Sequence, residues 1–141
     1  MKKSILAFIM LTSLSSLAIA QKKETIKVPI AVEKAFQKAH PNTKAKWEKE
    51  NTSYEAEYKV NGKETSSLYS SAGILEETEV EIAINRLPVT AAKYVSTHHL
   101  GEIKEASKIV KANGNVVYEA KVKSGDALFD AKGNFIELNK D

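Results

Sequence analysis

Apolar and polar positions keep two periods along this chain, and the switch from one to the other happens twice. After a polar lead-in, Gln21 to Thr25, the residues Val32, Ala35, Phe36 and Ala39 recur at helical spacing until His40-Pro41 ends the run. Pro29 sits where a first-turn proline is tolerated, and Pro41 disfavours helical geometry at His40 before it. The pattern therefore predicts a short amphipathic helix from Pro29 to Ala39. Beyond it the period drops to two: Tyr54, Ala56, Tyr58 and Val60 alternate with Glu55, Glu57 and Lys59, and Asn61-Gly62 follows as a hairpin signal. Further strands are predicted around Ser66 to Ser70 and Leu75 to Ile82, hinged at Gly73. A shorter strand carrying Ala45 and Trp47 comes before them.

The same order then returns. Leu87-Pro88 opens a helical stretch with Ala91, Ala92, Tyr94 and Val95 that ends near His99-Leu100-Gly101, where Gly101 offers a C-cap. Val116, Tyr118, Ala120 and Val122 then alternate with Val117, Glu119, Lys121 and Lys123. Five anchors align: Val28-Pro29 with Leu87-Pro88, His40 with His99, Tyr54-Glu55-Ala56 with Tyr118-Glu119-Ala120, Tyr69 with Phe129, and Gly73 with Gly133. Their separations of 59, 59, 64, 60 and 60 residues drift only where hairpin turns absorb insertions. The expected fold is α+β, a tandem repeat of a helix plus a four-stranded antiparallel sheet. A unit of that size buries little apolar area alone, so the copies should pack as one body, with sheet edges adjoining or helices touching.

The first residues change the charge argument. Lys2 and Lys3, the apolar run Ile5 to Leu11 and Ala18-Ile19-Ala20 have the form of a secretory leader cleaved after Ala20. The run is too short for a spanning helix, so no stable membrane insertion is expected after cleavage. Its loss removes two lysines and no acid, leaving 19 basic residues (21 minus 2) against 18 acidic ones in a nearly neutral mature chain. Net basicity thus gives no argument for nucleic acid. The absence of cysteine excludes disulfides, thiolate metal sites and a lipid-modified N-terminal thiol.

The leader, Val28-Pro29 followed by Ala35-Phe36 and His40-Pro41, Trp47, Tyr54-Glu55-Ala56-Glu57, the Gly73 hairpin, Leu87-Pro88, Tyr118-Glu119-Ala120 and Phe129-Asp130-Ala131-Lys132-Gly133 together resemble the PepSY-like proteins. These are secreted bacterial proteins similar in fold to the beta-lactamase inhibitor protein, with a helix and four antiparallel strands occurring twice. The resemblance covers the mature chain and implies residues 1–20 as signal peptide, 21–83 as a first repeat and 84–141 as a second. It implies a periplasmic or secreted location and no established catalytic residues. Related domains accompany peptidases and are associated with inhibiting or regulating them, and the inhibitor protein grips its enzyme on the concave side of its sheet.

Chemistry-bearing residues add little. His98 and His99, adjacent on a helix, point about 100 degrees apart, and His40 belongs to the other copy, so a shared metal ion is not expected. Asp126, Asp130 and Asn134 are spaced by four, unlike a calcium loop, and Asp130 to Gly133 reads as a turn. No Gly-x-Ser-x-Gly elbow or nucleotide fingerprint occurs, and Ser66-Ser67 and Ser70-Ser71 read as turn and edge-strand residues. Glu76, Glu77, Glu79 and Glu81 read as the wet face of a strand, while Trp47, Tyr54, Tyr58 and Tyr118 read as core. What remains is the polar sheet face: Glu55, Glu57 and Lys59 in the first copy, Glu119, Lys121 and Lys123 in the second. The expectation is a non-enzymatic exported binding module without cofactor, modulating a peptidase or other envelope protein of unidentified kind through that face. The alternative is a periplasmic binder of a small ligand or metal ion.

Overall fold

The computed structural model describes residues 26–140. The leader, its cleavage point and the lead-in to Thr25 lie outside the described residues. Pro29 and Pro88 each occupy the N-cap position of a helix, α1 (Ile30–Ala39) and α2 (Val89–Thr97). Each proline carbonyl accepts the first helical N–H bonds, from Val32 and Glu33 in one case and Ala91 and Ala92 in the other. A proline there forfeits nothing, because first-turn N–H groups lack intrahelical partners.

Four strands follow each helix: β1 (Lys46–Glu50), β2 (Ser53–Val60), β3 (Lys63–Ser70) and β4 (Leu75–Ile82), then, after a 3-10 turn at Ile84–Arg86 and α2, β5 (Glu105–Lys111), β6 (Val116–Val122), β7 (Gly125–Asp130) and β8 (Phe135–Asn139). Asn61 and Gly62 both take positive φ, 51° and 79°, so β2 and β3 are joined by the tight turn that the dipeptide predicted. All eight strands form one antiparallel sheet in sequence order. The adjoining edges are β4 and β5, paired from Glu77 opposite Lys111 to Ile82 opposite Ala106.

Residues opposite each other in an antiparallel ladder point to the same side. Tracing the register from Ala56 through Ser67, Thr78, Val110 and Val116 shows that both helices cover one face. Val32 and Phe36 of α1 pack with Ala56, Tyr58 and Tyr69. Leu87, Ala91 and Val95, from α2 and its lead-in, pack with Ala106, Ala120, Val122, Ala127 and Phe129. Trp47 meets Phe36 edge to face, and Tyr54 and Tyr118 pack against their clusters, so the aromatic positions read as core are core.

Three local expectations need correction. The left-handed residue that ends α2 is His99 (φ 53°), not Gly101: Leu100 N–H bonds back to Val95 O and His99 N–H to Ser96 O, which closes the helix two residues earlier and tucks Leu100 into the core. Ser66 and Ser67 lie inside β3, an interior strand, because pairing starts at Lys63 directly after the Asn61-Gly62 turn. Ser67 is buried and hydrogen-bonded to the Tyr58 hydroxyl at 2.9 Å. The Glu77-Glu79-Glu81 row is not simply wet, since β4 is an interior strand and Glu77 is buried.

Candidate functional site

The face opposite the helices carries a hollow of about 350 Å³ across β2 to β6. Seven glutamates line it (Glu55, Glu57, Glu64, Glu79, Glu81, Glu105 and Glu119) with Lys121, Thr65, Ser66 and Ser107. The register explains the gathering. Glu57 stands opposite Ser66 and Ser66 opposite Glu79, while Ser107 stands opposite both Glu81 and Glu119, so the small serines leave room between the acids.

Four of the six residues expected on this face line the hollow: Glu55, Glu57, Glu119 and Lys121. Lys59 is exposed at the end of β2 and pairs with Glu64 at 2.6 Å. Lys123 lies exposed beyond the end of β6 with its Cβ near Gly101, outside the lining. Sequence reasoning did not assign Glu64, Thr65, Ser66, Glu79, Glu81, Glu105 or Ser107 to the site. Alternation shows that Glu79 points away from the helices, but a period of two cannot say how enclosed that side becomes.

Burial shapes the electrostatics. It raises the Glu55 carboxyl to about 7 against the pull of a Ser66 hydrogen bond. Glu79 is raised to about 7 by burial, opposed by a bond from Ser107 and reinforced by Glu77, Asp126 and Glu50. Glu119 reaches about 8, through burial and then the charges of Glu79 and Asp126, with Lys121 opposing. The Glu79 charge thus holds the Glu119 proton, which ties the titration of Glu119 to that of Glu79. One oxygen of Glu79, Oε2, is sealed from solvent with no hydrogen-bond partner.

The lysines of this face are engaged by other acids. Lys46 bridges Glu48 and Glu57 at 2.6 and 3.0 Å, Lys111 pairs with the buried Glu77, and Lys121 lies 3.8 Å from Glu105. Glu48, Glu55 and Glu57 come close enough together to suggest cation ligands, but the Lys46 ammonium already binds two of them. The histidines do not converge. His40 Nε2 meets the Tyr58 hydroxyl at 2.9 Å, and His98 stacks on Tyr94 with its Nδ1 3.0 Å from the Tyr94 carbonyl. Asp130 is a turn residue whose carboxylate accepts the N–H groups of Lys132 and Asn134. No helix of the described residues is long and apolar enough to cross a membrane.

Two helices on one face of a single antiparallel sheet, with an open acidic face opposite, define a BLIP-like α+β fold, that of the beta-lactamase inhibitor protein. Solved structures agree on that fold. A Bacteroides fragilis BLIP-like protein matches with a TM-score of 0.61 and 20% identity over 83% of this chain and 89% of its own. A Bacteroides eggerthii protein, provisionally assigned to the periplasm, matches at 0.72 and 14% over 81% and 89%. A DUF2874 family protein of Bacteroides ovatus matches at 0.69 and 16% over 82% and 89%. Neither a sequence-family model nor a curated protein matches the chain.

Proposed function

We propose that this protein is a non-enzymatic exported binding module that engages a protein partner, such as a peptidase of the envelope, through the open sheet face. The observation that carries this reading is the hollow on that face, where Glu55, Glu79 and Glu119 are held largely out of water although their charge is costly there. The small serines on its floor leave it unfilled. The BLIP-like fold and the provisional periplasmic assignment of a structural neighbour are consistent with such a role.

The leader directs export to the periplasm or beyond, with cleavage after Ala20, and residues 21–83 and 84–141 act as two PepSY-like units derived by duplication. Support for duplication comes from matched details. Both the Ser70 to Gly73 and Asp130 to Gly133 turns close with the same backbone bonds, each turn glycine abuts a helix start, and each follows a bulge, after Leu68 and Leu128.

A photoreactive residue placed at Ser66, on the open face, should crosslink a protein in the native envelope, whereas one at Gln37, exposed on α1, should not. The charge reversal Glu57→Lys should abolish capture while leaving the circular dichroism of the fold unchanged. Equal capture from both faces would sink the proposal.

A further inference from the structure

We infer that the partner presents a basic segment whose lysine or arginine side chain enters the hollow between Glu79 and Glu119; this rests on the open-face reading above. The argument begins with charge. Among the described residues, Glu55, Glu79 and Glu119 make no ion pair, while Lys46, Lys59 and Lys121 pair with Glu57, Glu64 and Glu105 of the same lining. Seven acids against Lys121, with Lys46 and Lys59 reaching in from the sides, leave the hollow net acidic, which is the complement of a basic surface.

Geometry adds two reasons. Glu79 Oε2 is buried without a donor, which makes the charge of this carboxylate costly. An ammonium or guanidinium group held in the hollow beside it offsets that charge. The volume of about 350 Å³ matches that of a small-ligand site, enough for one long side chain. A bare divalent ion suits the site less well, because of Glu48, Glu55 and Glu57, the acids that converge most closely, Glu48 and Glu57 already hold the Lys46 ammonium.

Binding should release protons. The groups facing the pair are Glu50 from β1, Glu57 from β2, Glu77 from β4, Glu105 from β5, Lys121 from β6 and Asp126 at the start of β7, so acids dominate on nearly every side. Burial first, and then these acids, keep Glu79 and Glu119 partly protonated near neutral pH, and a bound cation displaces those protons. Affinity for a cation therefore rises with pH.

The test uses mature protein and fluorescein-labelled hexalysine, followed by anisotropy at about pH 6 and about pH 8.5 in about 150 mM salt. Expected is binding at least about tenfold tighter at the higher pH, the gain for one displaced proton over a single pH unit. The double variant Glu79→Gln/Glu119→Gln, which folds if its near-ultraviolet circular dichroism matches wild type, should lose about tenfold or more and most of the pH dependence. Glu33→Gln on α1 should change nothing. Equal binding by wild type and double variant, or calcium binding that excludes the peptide, would overturn the inference. Crosslinking from Ser66 that persists when hexalysine fails removes the basic-partner inference alone, whereas loss of both removes the open-face reading as well.

Discussion

Glu119→Gln removes one charge from the hollow with little change of shape. In the unfolded chain the Glu119 proton leaves near 4.5; in the fold, burial and then the charges of Glu79 and Asp126 hold it until about 8. Between these values the folded state keeps a proton that the unfolded state has lost. Wild-type stability from this group is therefore fully present below about 4.5, falls as pH rises towards about 8, and is level above that. At about 1.36 kcal/mol per pH unit the interval sets a ceiling of about 5 kcal/mol. The side chain keeps some contact with water and shares its titration with Glu79, so the expected gain for the glutamine variant is about 2 kcal/mol. Urea unfolding of both mature proteins reads this directly. The variant should be more stable by about 2 kcal/mol at about pH 9, and within about 0.5 kcal/mol of wild type at about pH 4.5. A gain of the same size at both pH values, or none at about pH 9, would refute the assignment of a buried, costly charge to Glu119.

Phe129 is fully buried at the centre of the second cluster, and Phe129→Ala should cost about 3–5 kcal/mol in urea unfolding; a cost below about 1 kcal/mol would mean that the cluster is not packed as described. Gly73→Ala adds a Cβ that would stand 2.5 Å from the Ala31 carbonyl oxygen at φ 80°, whereas Gly62→Ala has the same backbone strain in open space. The first should cost more than the second, which should lose only about 1–2 kcal/mol, and the reverse order of thermal midpoints contradicts the docking of that turn on α1. Tyr58→Phe removes a hydroxyl shared by His40 and Ser67 and should cost about 1–2 kcal/mol, checked by the same unfolding curves, with no loss meaning that water replaces it.

The elements that local physics controls were legible. Alternation in Tyr54 to Val60 fixed which side of β2 meets the helices, Pro29 and Pro88 marked the helix starts, and Asn61-Gly62 fixed a turn. Features that need residues far apart in sequence were not. The pairing of Glu77 with Lys111 depends on β4 meeting β5 across α2, and it is this pairing that turns two expected sheets into one. The site fell between these cases. Glu55, Glu57, Glu119 and Lys121 were legible as lying on the face opposite the helices, but the enclosure of Glu79 arises only once interior strands on both sides, with serines opposite, frame it. His99 ended α2 because the backbone bonds of Leu100 and His99 close there, a choice that a glycine two residues on concealed.

The two faces of the sheet are held to different standards. On the helix side nearly every buried group is apolar or, like Ser67 and Tyr58, hydrogen-bonded, so stability alone accounts for its composition. On the open side stability argues against what is there. Glu79 and Glu119 each make the fold less stable at neutral and alkaline pH, and glutamine would keep their shapes without the charge. Sequences that break a local rule at such cost commonly do so at functional sites. The cost disappears when a cation neutralises the pair, so it is the hollow, rather than the charged rim represented by Lys59 and Lys123, whose composition stability leaves unexplained.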